Sequence, residues 1–192
     1  MAQANNSAGA GPEQHTIIAL VEDKPGVLTR IASMFRRRGF NIASLAVGRS
    51  EKPGLSRMTF VVDGDLPTVQ QVTRQLDKLI DVIQVSYIST HQVVARELAL
   101  MKVTTTPASR GEIMQFAELF DASIVDVSPT CMVIEITGGE QKVNALEDLL
   151  RPFGITEMVR TGLVAMVRGQ DSGMEAENLG VPISSMRMDS GI

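Results

Sequence analysis

The feature that most narrows the possible folds is a succession of elements that the sequence spells out twice. His15–Glu22 carries a short apolar run (Ile17, Ile18, Ala19, Leu20, Val21), too short and too β-rich for a helix, and reads as a buried strand. Asp23-Lys24-Pro25-Gly26 is a turn. After it, Val27, Leu28, Ile31, Ala32, Met34 and Phe35 recur at helical spacing as far as a stop at Gly39. Phe40–Gly48 and Leu55–Asp63 read as strands joined by Ser50-Glu51-Lys52-Pro53-Gly54. Val69, Val72, Leu76, Leu79 and Ile80 mark a second helix with Pro67 in its first turn, and Val82–Thr90 closes the set as a strand.

The order then recurs. Arg96–Thr105 is a strand, and Ser109-Arg110-Gly111-Glu112 has the spacing of a capping box ahead of Ile113, Phe116, Ala117 and Phe120. Ser123–Val127 and Cys131–Thr137 are strands around Ser128-Pro129-Thr130. Val143, Leu146, Leu149, Leu150 and Phe153 mark a helix stopped by Gly154, and Ile155–Arg168 supplies one last strand. Two β-α-β-β-α-β units predict an α+β chain of two tandem ferredoxin-like domains, residues 15–90 and 91–168. A small polar segment, 1–14, is expected to be disordered, and 169–192 to form a flexible tail. Each sheet would carry helices on one face, so the other face and the edges call for cover; side-by-side pairing into a homodimer is expected.

Composition removes several classes of function. A single cysteine, Cys131, excludes an intrachain disulfide framework and a multi-cysteine zinc site; beside Met132 and Val133 it is expected to be a buried, inert thiol. Two histidines, His15 and His91, leave little for imidazole catalysis or a metal site, and both are assigned to surface or edge positions. No activated nucleophile, metal cluster or cofactor cradle is visible, so neither catalysis nor a cofactor or metal is expected in this chain. The first repeat has ten Lys and Arg against seven Asp and Glu, the second seven against ten, which is not the surplus of a nucleic-acid binder. An RNA-recognition module shares the order of elements but stacks bases on aromatics of its first and third strands; here Phe60 stands alone. No apolar run approaches the ~18 residues that span a bilayer and residues 1–14 lack the apolar stretch of a signal peptide, so a cytoplasmic location is expected. Arg36-Arg37-Arg38 reads as a solvated face suited to a helix C-terminus. Met174, Met186 and Met188 sit in the tail with no core to fill, and nothing in the sequence explains them.

The turn Asp23–Leu28 is the most informative segment. It joins a buried strand to a helix start, where unpaired N–H groups and the positive dipole end favour a carboxylate, and Gly26 offers no Cβ to an approaching group. Asp23 can accept from an ammonium, and Asn41 can both donate and accept. With Val27, Leu28 and Ile42 as apolar neighbours, these residues suit the zwitterionic head and side chain of an amino acid. The same Pro-Gly step also serves as an ordinary turn, and spacing alone leaves both readings open.

VEDKPGVLTRIASMFRRRGFNIASLAVG (Val21–Gly48), continued by LSRMTFVVDGD (Leu55–Asp65), closely resembles the first ACT domain of the small, regulatory subunits of acetolactate (acetohydroxyacid) synthase. RELALMKV (Arg96–Val103), IVDVSP (Ile124–Pro129) and GLVAMVRG (Gly162–Gly169) look like the same family, so the resemblance spans roughly residues 15–169. It implies a non-catalytic chain that binds the catalytic large subunit and raises its activity. It also implies feedback inhibition by branched-chain amino acids, valine foremost. Thiamine diphosphate, magnesium and FAD are then expected on the catalytic subunit. The effector is expected between ACT domains of two chains, on Asp23, Gly26, Val27, Leu28, Asn41 and Ile42. Some relatives have Asn in place of Asp23, which changes the local charge. An ACT regulator of a different enzyme is the alternative. The second repeat has Thr104-Thr105-Thr106-Pro107-Ala108-Ser109 in place of the first turn, and no equivalent ligand site is expected there.

Overall fold

Strand β1 (Gln14–Glu22) buries Ile17, Ala19 and Val21 against two helices, which is why a run with no helical period extends here. The computed structural model describes residues 13–88 and 93–169; His91 and the Met174, Met186, Met188 cluster lie outside them. β1 pairs antiparallel with β3 (Leu55–Asp63), from Gln14 opposite Asp63 to Glu22 opposite Leu55. It pairs on its other side with β4 (Val82–Ile88), and β2 (Ile42–Arg49) lies beyond β3, giving the order β2-β3-β1-β4. Helices α1 (Val27–Arg38) and α2 (Leu66–Leu76) cover one face with Ile31, Phe35, Val69, Val72 and Leu76, all nearly inaccessible. Phe35 stacks on Phe60 with ring centroids 5.4 Å apart. Each such side chain contributes about 1.5–3 kcal/mol by leaving water, so this aliphatic core suffices with few aromatics.

The second unit, Val94–Met166, repeats the plan. β5 (Val93–Thr104), α3 (Arg110–Leu119), β6 (Ser123–Val127), β7 (Cys131–Gly138), α4 (Glu140–Leu150) and β8 (Ile155–Arg160) form a sheet ordered β6-β7-β5-β8. The chain is thus α+β, with two ferredoxin-like units in tandem. Even the irregularities recur: the β1–β4 ladder shifts register between Leu20 and Val21, and the β5–β8 ladder between Lys102 and Val103. Counting from these bulges, Glu97 stands where His15 does, Arg160 where Tyr87 does, and Thr105 where Asp23 does.

Several expectations need correction. α2 ends at Leu76 rather than continuing to Ile80. Leu79 folds back onto the core through a tight turn (Val82 N to Leu79 O, 3.0 Å), and Ile80 at its tip is 81% exposed. The expected last strand is two: Gly162, at φ 79°, breaks it into β8 and β9 (Val164–Val167), and both pair with β5. The expected Ser109–Glu112 capping box does not form: Ser109 is the N-cap residue of α3 and its side chain makes no cap hydrogen bond to the helix. Its hydroxyl instead accepts from Thr106 N (2.9 Å) across the turn ahead of α3, while Thr106 Oγ1 accepts from Ser109 N (3.1 Å). His15 is neither at the surface nor on an edge strand. β1 is an inner strand, and His15 is 5% exposed with Nδ1 3.1 Å from the Tyr87 hydroxyl. Cys131 is half-buried at the start of β7, its Sγ 3.0 Å from Ser128 Oγ.

Candidate ligand-binding site

The start of α1 is built from backbone. Gly26 is the N-cap residue at φ 89°, a left-handed conformation that favours glycine, and no side chain caps the helix. The first turn holds no acidic residue, and Val27 N reaches Lys24 O only at 3.4 Å. Asp23, Lys24, Pro25 and Gly26 are all exposed. The turn is nevertheless fixed: Asp23 N donates to Gly54 O (2.8 Å), Glu22 N to Asp81 O (2.9 Å), and Arg30 pairs with Asp81 at 3.0 Å. Among the four α-helices of the described residues, α1 is the one whose start has neither a side-chain cap nor an acid. α2 is capped by Asp65, and α3 and α4 have Glu112 and Glu140 in their first turns. A rigid, open helix N-terminus of this kind attracts a carboxylate.

Within the chain, glycine at position 26 has a backbone reason. A Cβ there would approach only the Arg30 guanidinium, at 3.9 Å, so within the chain it is the positive φ and not crowding that calls for glycine. The roles of the apolar neighbours also change. Val27 is 2% exposed and its side chain belongs to the core, so only its backbone faces the turn. Leu28, at 45% exposure, is the apolar side chain the turn presents.

Asn41 and Ile42 do not join this turn within one chain. α1 has twelve residues, which separates its ends by roughly 18 Å, and both lie beyond its C-terminal stop, where Gly39 adopts φ 70°. The sheet register gives the same separation. The turn lies beside Gly54, at the Glu22–Leu55 end of the ladder, whereas the Asn41 amide donates to Asp63, at the Gln14–Asp63 end. Asn41 is exposed; Ile42 is half-buried against the core. The six expected residues thus fall into two groups at opposite ends of α1: Asp23, Gly26, Val27 and Leu28 at one, Asn41 and Ile42 at the other.

Two residues at the Asn41 end escaped the sequence reading. Asp63 receives Asn41 Nδ2 on one carboxylate oxygen and Gln14 Nε2 on the other (3.0 Å). Asp65 caps α2, accepting from Thr68 Oγ1 (2.6 Å) and Thr68 N (3.0 Å), and these hydrogen bonds hold its carboxyl below the usual carboxylate range. Among the described residues, no three His, Cys, Asp or Glu side chains gather in a way that could hold a metal ion, and no helix is long and apolar enough to cross a membrane.

Residues 17–84 match the family model of the ACT domain of acetohydroxyacid synthase small subunits, and residues 96–169 match that of the acetolactate synthase small subunit. The chain is 57% identical over 156 residues to a probable acetolactate synthase small subunit of Archaeoglobus fulgidus, covering 81% of this chain and 98% of the relative. It is 48% identical over 158 residues to the acetolactate synthase small subunit of Mycobacterium bovis, covering 82% and 94%. A crystal structure of the acetolactate synthase small subunit from Thermotoga maritima superposes with a TM-score of 0.78 at 44% identity, covering 82% of this chain and 98% of that one.

Proposed function

The chain belongs to the family of acetolactate synthase small subunits, and from that premise we propose that it is the non-catalytic regulatory subunit of an acetolactate synthase. In this reading it binds the catalytic large subunit in the cytoplasm, raises its activity and makes it sensitive to branched-chain amino acids, with valine the first candidate. Thiamine diphosphate, magnesium and FAD then reside on the large subunit. Residues 15–90 form the effector domain, and residues 91–168 serve assembly or contact with the large subunit.

The observation that carries the effector role is the open start of α1 at Gly26, rigid, exposed and uncapped. Its N–H groups suit the effector carboxylate, and Leu28 suits an aliphatic side chain. Asn41 and Ile42 are too far away in the same chain, so they are supplied by a second copy. In a two-fold pair, the turn of one copy meets the Asn41 end of the other, and two equivalent sites form at the seam. For a ligand of roughly eight heavy atoms, micromolar to millimolar affinity corresponds to about 0.5–1 kcal/mol per atom, within the range small ligands reach, and suits following a metabolite pool. To regulate, the effector must favour one arrangement of the pair over another, by a coupling of about 1–3 kcal/mol.

Reconstitution with the catalytic large subunit tests the proposal, with acetolactate formation measured with and without valine, leucine or isoleucine. Activation together with inhibition by one of the three is the expected result. Acetolactate formation by this chain alone, or no effect on the large subunit, overturns it.

A further inference from the structure

The Asn41 amide is held in one of its two orientations. Its Nδ2 donates to Asp63 Oδ2, while Asp63 Oδ1 accepts from Gln14 Nε2 at 3.0 Å. Gln14 and Asp63 are directly opposite in the β1–β3 ladder, so the carboxylate is anchored to the sheet and reaches the loop after α1. An ionised carboxylate only accepts hydrogen bonds. The Asn41 amide must therefore turn its NH2 toward Asp63, which puts its carbonyl oxygen on the other branch. Both hydrogen bonds are exposed, and at such a position water replaces a protein partner at little cost, so folding gains little from them. What they do select is which end of the amide faces a ligand.

We propose that Asp63 is a positioning residue for the effector's ammonium group: by holding the NH2 of Asn41, it makes the Asn41 carbonyl oxygen the acceptor offered to the ligand, and its own negative charge favours a cation there. The inference rests on the effector reading above and assigns that site a polarity. The Gly26 end of α1 offers N–H groups and the positive dipole end to a carboxylate. The Asn41 end offers a carbonyl oxygen backed by the Asp63 carboxylate, beyond a last helical turn that carries Arg36, Arg37 and Arg38. A two-fold pair sets these opposite ends against each other, and an α-amino acid has the matching pair of charges. The site so built prefers an α-amino acid to the 2-hydroxy acid of the same shape, because the hydroxyl brings one donor and no charge.

Titration calorimetry of the full chain with valine and with 2-hydroxy-3-methylbutanoate tests this. Asp63→Ala is expected to weaken valine about tenfold or more and the hydroxy acid by no more than about threefold, so that the preference collapses. Asp63→Asn, which keeps an acceptor for Asn41 but no charge, is expected to fall between Asp63→Ala and the natural chain, and it stands in if Asp63→Ala does not fold. Valine affinity within twofold of the natural chain, or equal losses for both ligands, overturns the proposal. Asn41→Ala and Gly26→Asp separate this failure from a deeper one. If they lose valine while Asp63→Ala keeps it, the effector site stands and Asp63 has no part in it. If both bind valine as the natural chain does, the effector reading fails and this inference with it.

Discussion

The corner between first strand and first helix occurs twice in this chain, and its two versions end differently. In the first unit, Asp23-Lys24-Pro25-Gly26 leads into α1 with Gly26 at φ 89° and no side chain on the helix start. In the second, Thr105-Thr106-Pro107-Ala108 occupies the same positions. Thr105 N donates to Thr130 O at 2.8 Å just as Asp23 N donates to Gly54 O. Ala108 keeps a negative φ, and the turn 107–109 leads into α3, with Thr106 N and Ser109 N each taken up by the side chain of the other residue. Arg110 fills what remains, donating to Ser128 O (2.8 Å), Pro129 O (3.0 Å) and Thr105 Oγ1 (3.3 Å). The fold provides a helix N-terminus at both corners; whether a ligand can use it depends on whether the chain's own side chains have already done so.

The largest expected effect comes from spoiling the open corner. Gly26→Asp puts a negative charge at the proposed place of the effector carboxylate and holds it in a φ that aspartate tolerates better than most residues. Valine affinity should fall by more than about a hundredfold in calorimetry, and the reconstituted enzyme should lose valine inhibition; retained inhibition would mean that the corner is not the site. The next contrast is between the equivalent buried pairs. Glu97 holds Arg160 through both carboxylate oxygens, and Arg160 also reaches Asn144 (2.8 Å), whereas the first unit has His15 and Tyr87 at these positions. Glu97→Gln should cost about 2 kcal/mol in urea unfolding and Tyr87→Phe about 1 kcal/mol or less. Equal losses would show that the ionic pair gives the second unit no extra stability.

Closing versus opening can also be tested from the other side. Thr106→Ala removes one half of the reciprocal Thr106–Ser109 pair and should cost about 1 kcal/mol, read as a drop of several degrees in Tm, with valine affinity unchanged. A change in valine affinity would bring the second corner into effector binding. The smallest effect concerns pH at the capped start of α2. The Asp65 carboxyl is lowered first by the Thr68 hydroxyl and then by the Thr68 N–H. Its contribution is therefore complete above the ordinary carboxylate range and fades as pH falls through its lowered folded value. Asp65→Asn, which keeps an accepting oxygen, should flatten that acid limb of Tm against pH; an unchanged limb would place the titration elsewhere.

Most of the architecture was legible because burial imposes a period. Ile17–Val21 and Ile31–Met34–Phe35 declare a strand and a helix, and Gly39 ends α1 as a glycine with positive φ does; α4 ends at Leu150, and Gly154 closes the 3-10 turn Arg151–Phe153 that follows it. The misreadings have local causes. Ile80 continues the apolar spacing of α2 by coincidence, since a turn tip needs only to reverse the chain. The Ser109–Glu112 spacing fits a capping box, yet the Ser109 hydroxyl is engaged by Thr106 N in the preceding turn and leaves the helix without a side-chain cap. His15 was assigned to the surface as a polar residue at a strand end, although only the pairing order makes β1 an inner strand and provides Tyr87 as its partner. At the site, the Gly26 turn could be read because its chemistry lies in the backbone of adjacent residues. Asp63 and Gln14 could not, because their meeting with Asn41 depends on a register between strands far apart in sequence.

The length of α1 has a consequence for mixtures. In the proposed two-fold pair each pocket borrows one half from either copy, so a protein carrying Gly26→Asp and another carrying Asn41→Ala should each be deaf to valine when pure. Exchanged into mixed pairs, they concentrate both lesions in one pocket and leave the other whole. Combining two unresponsive preparations should therefore recover one working pocket in every hybrid.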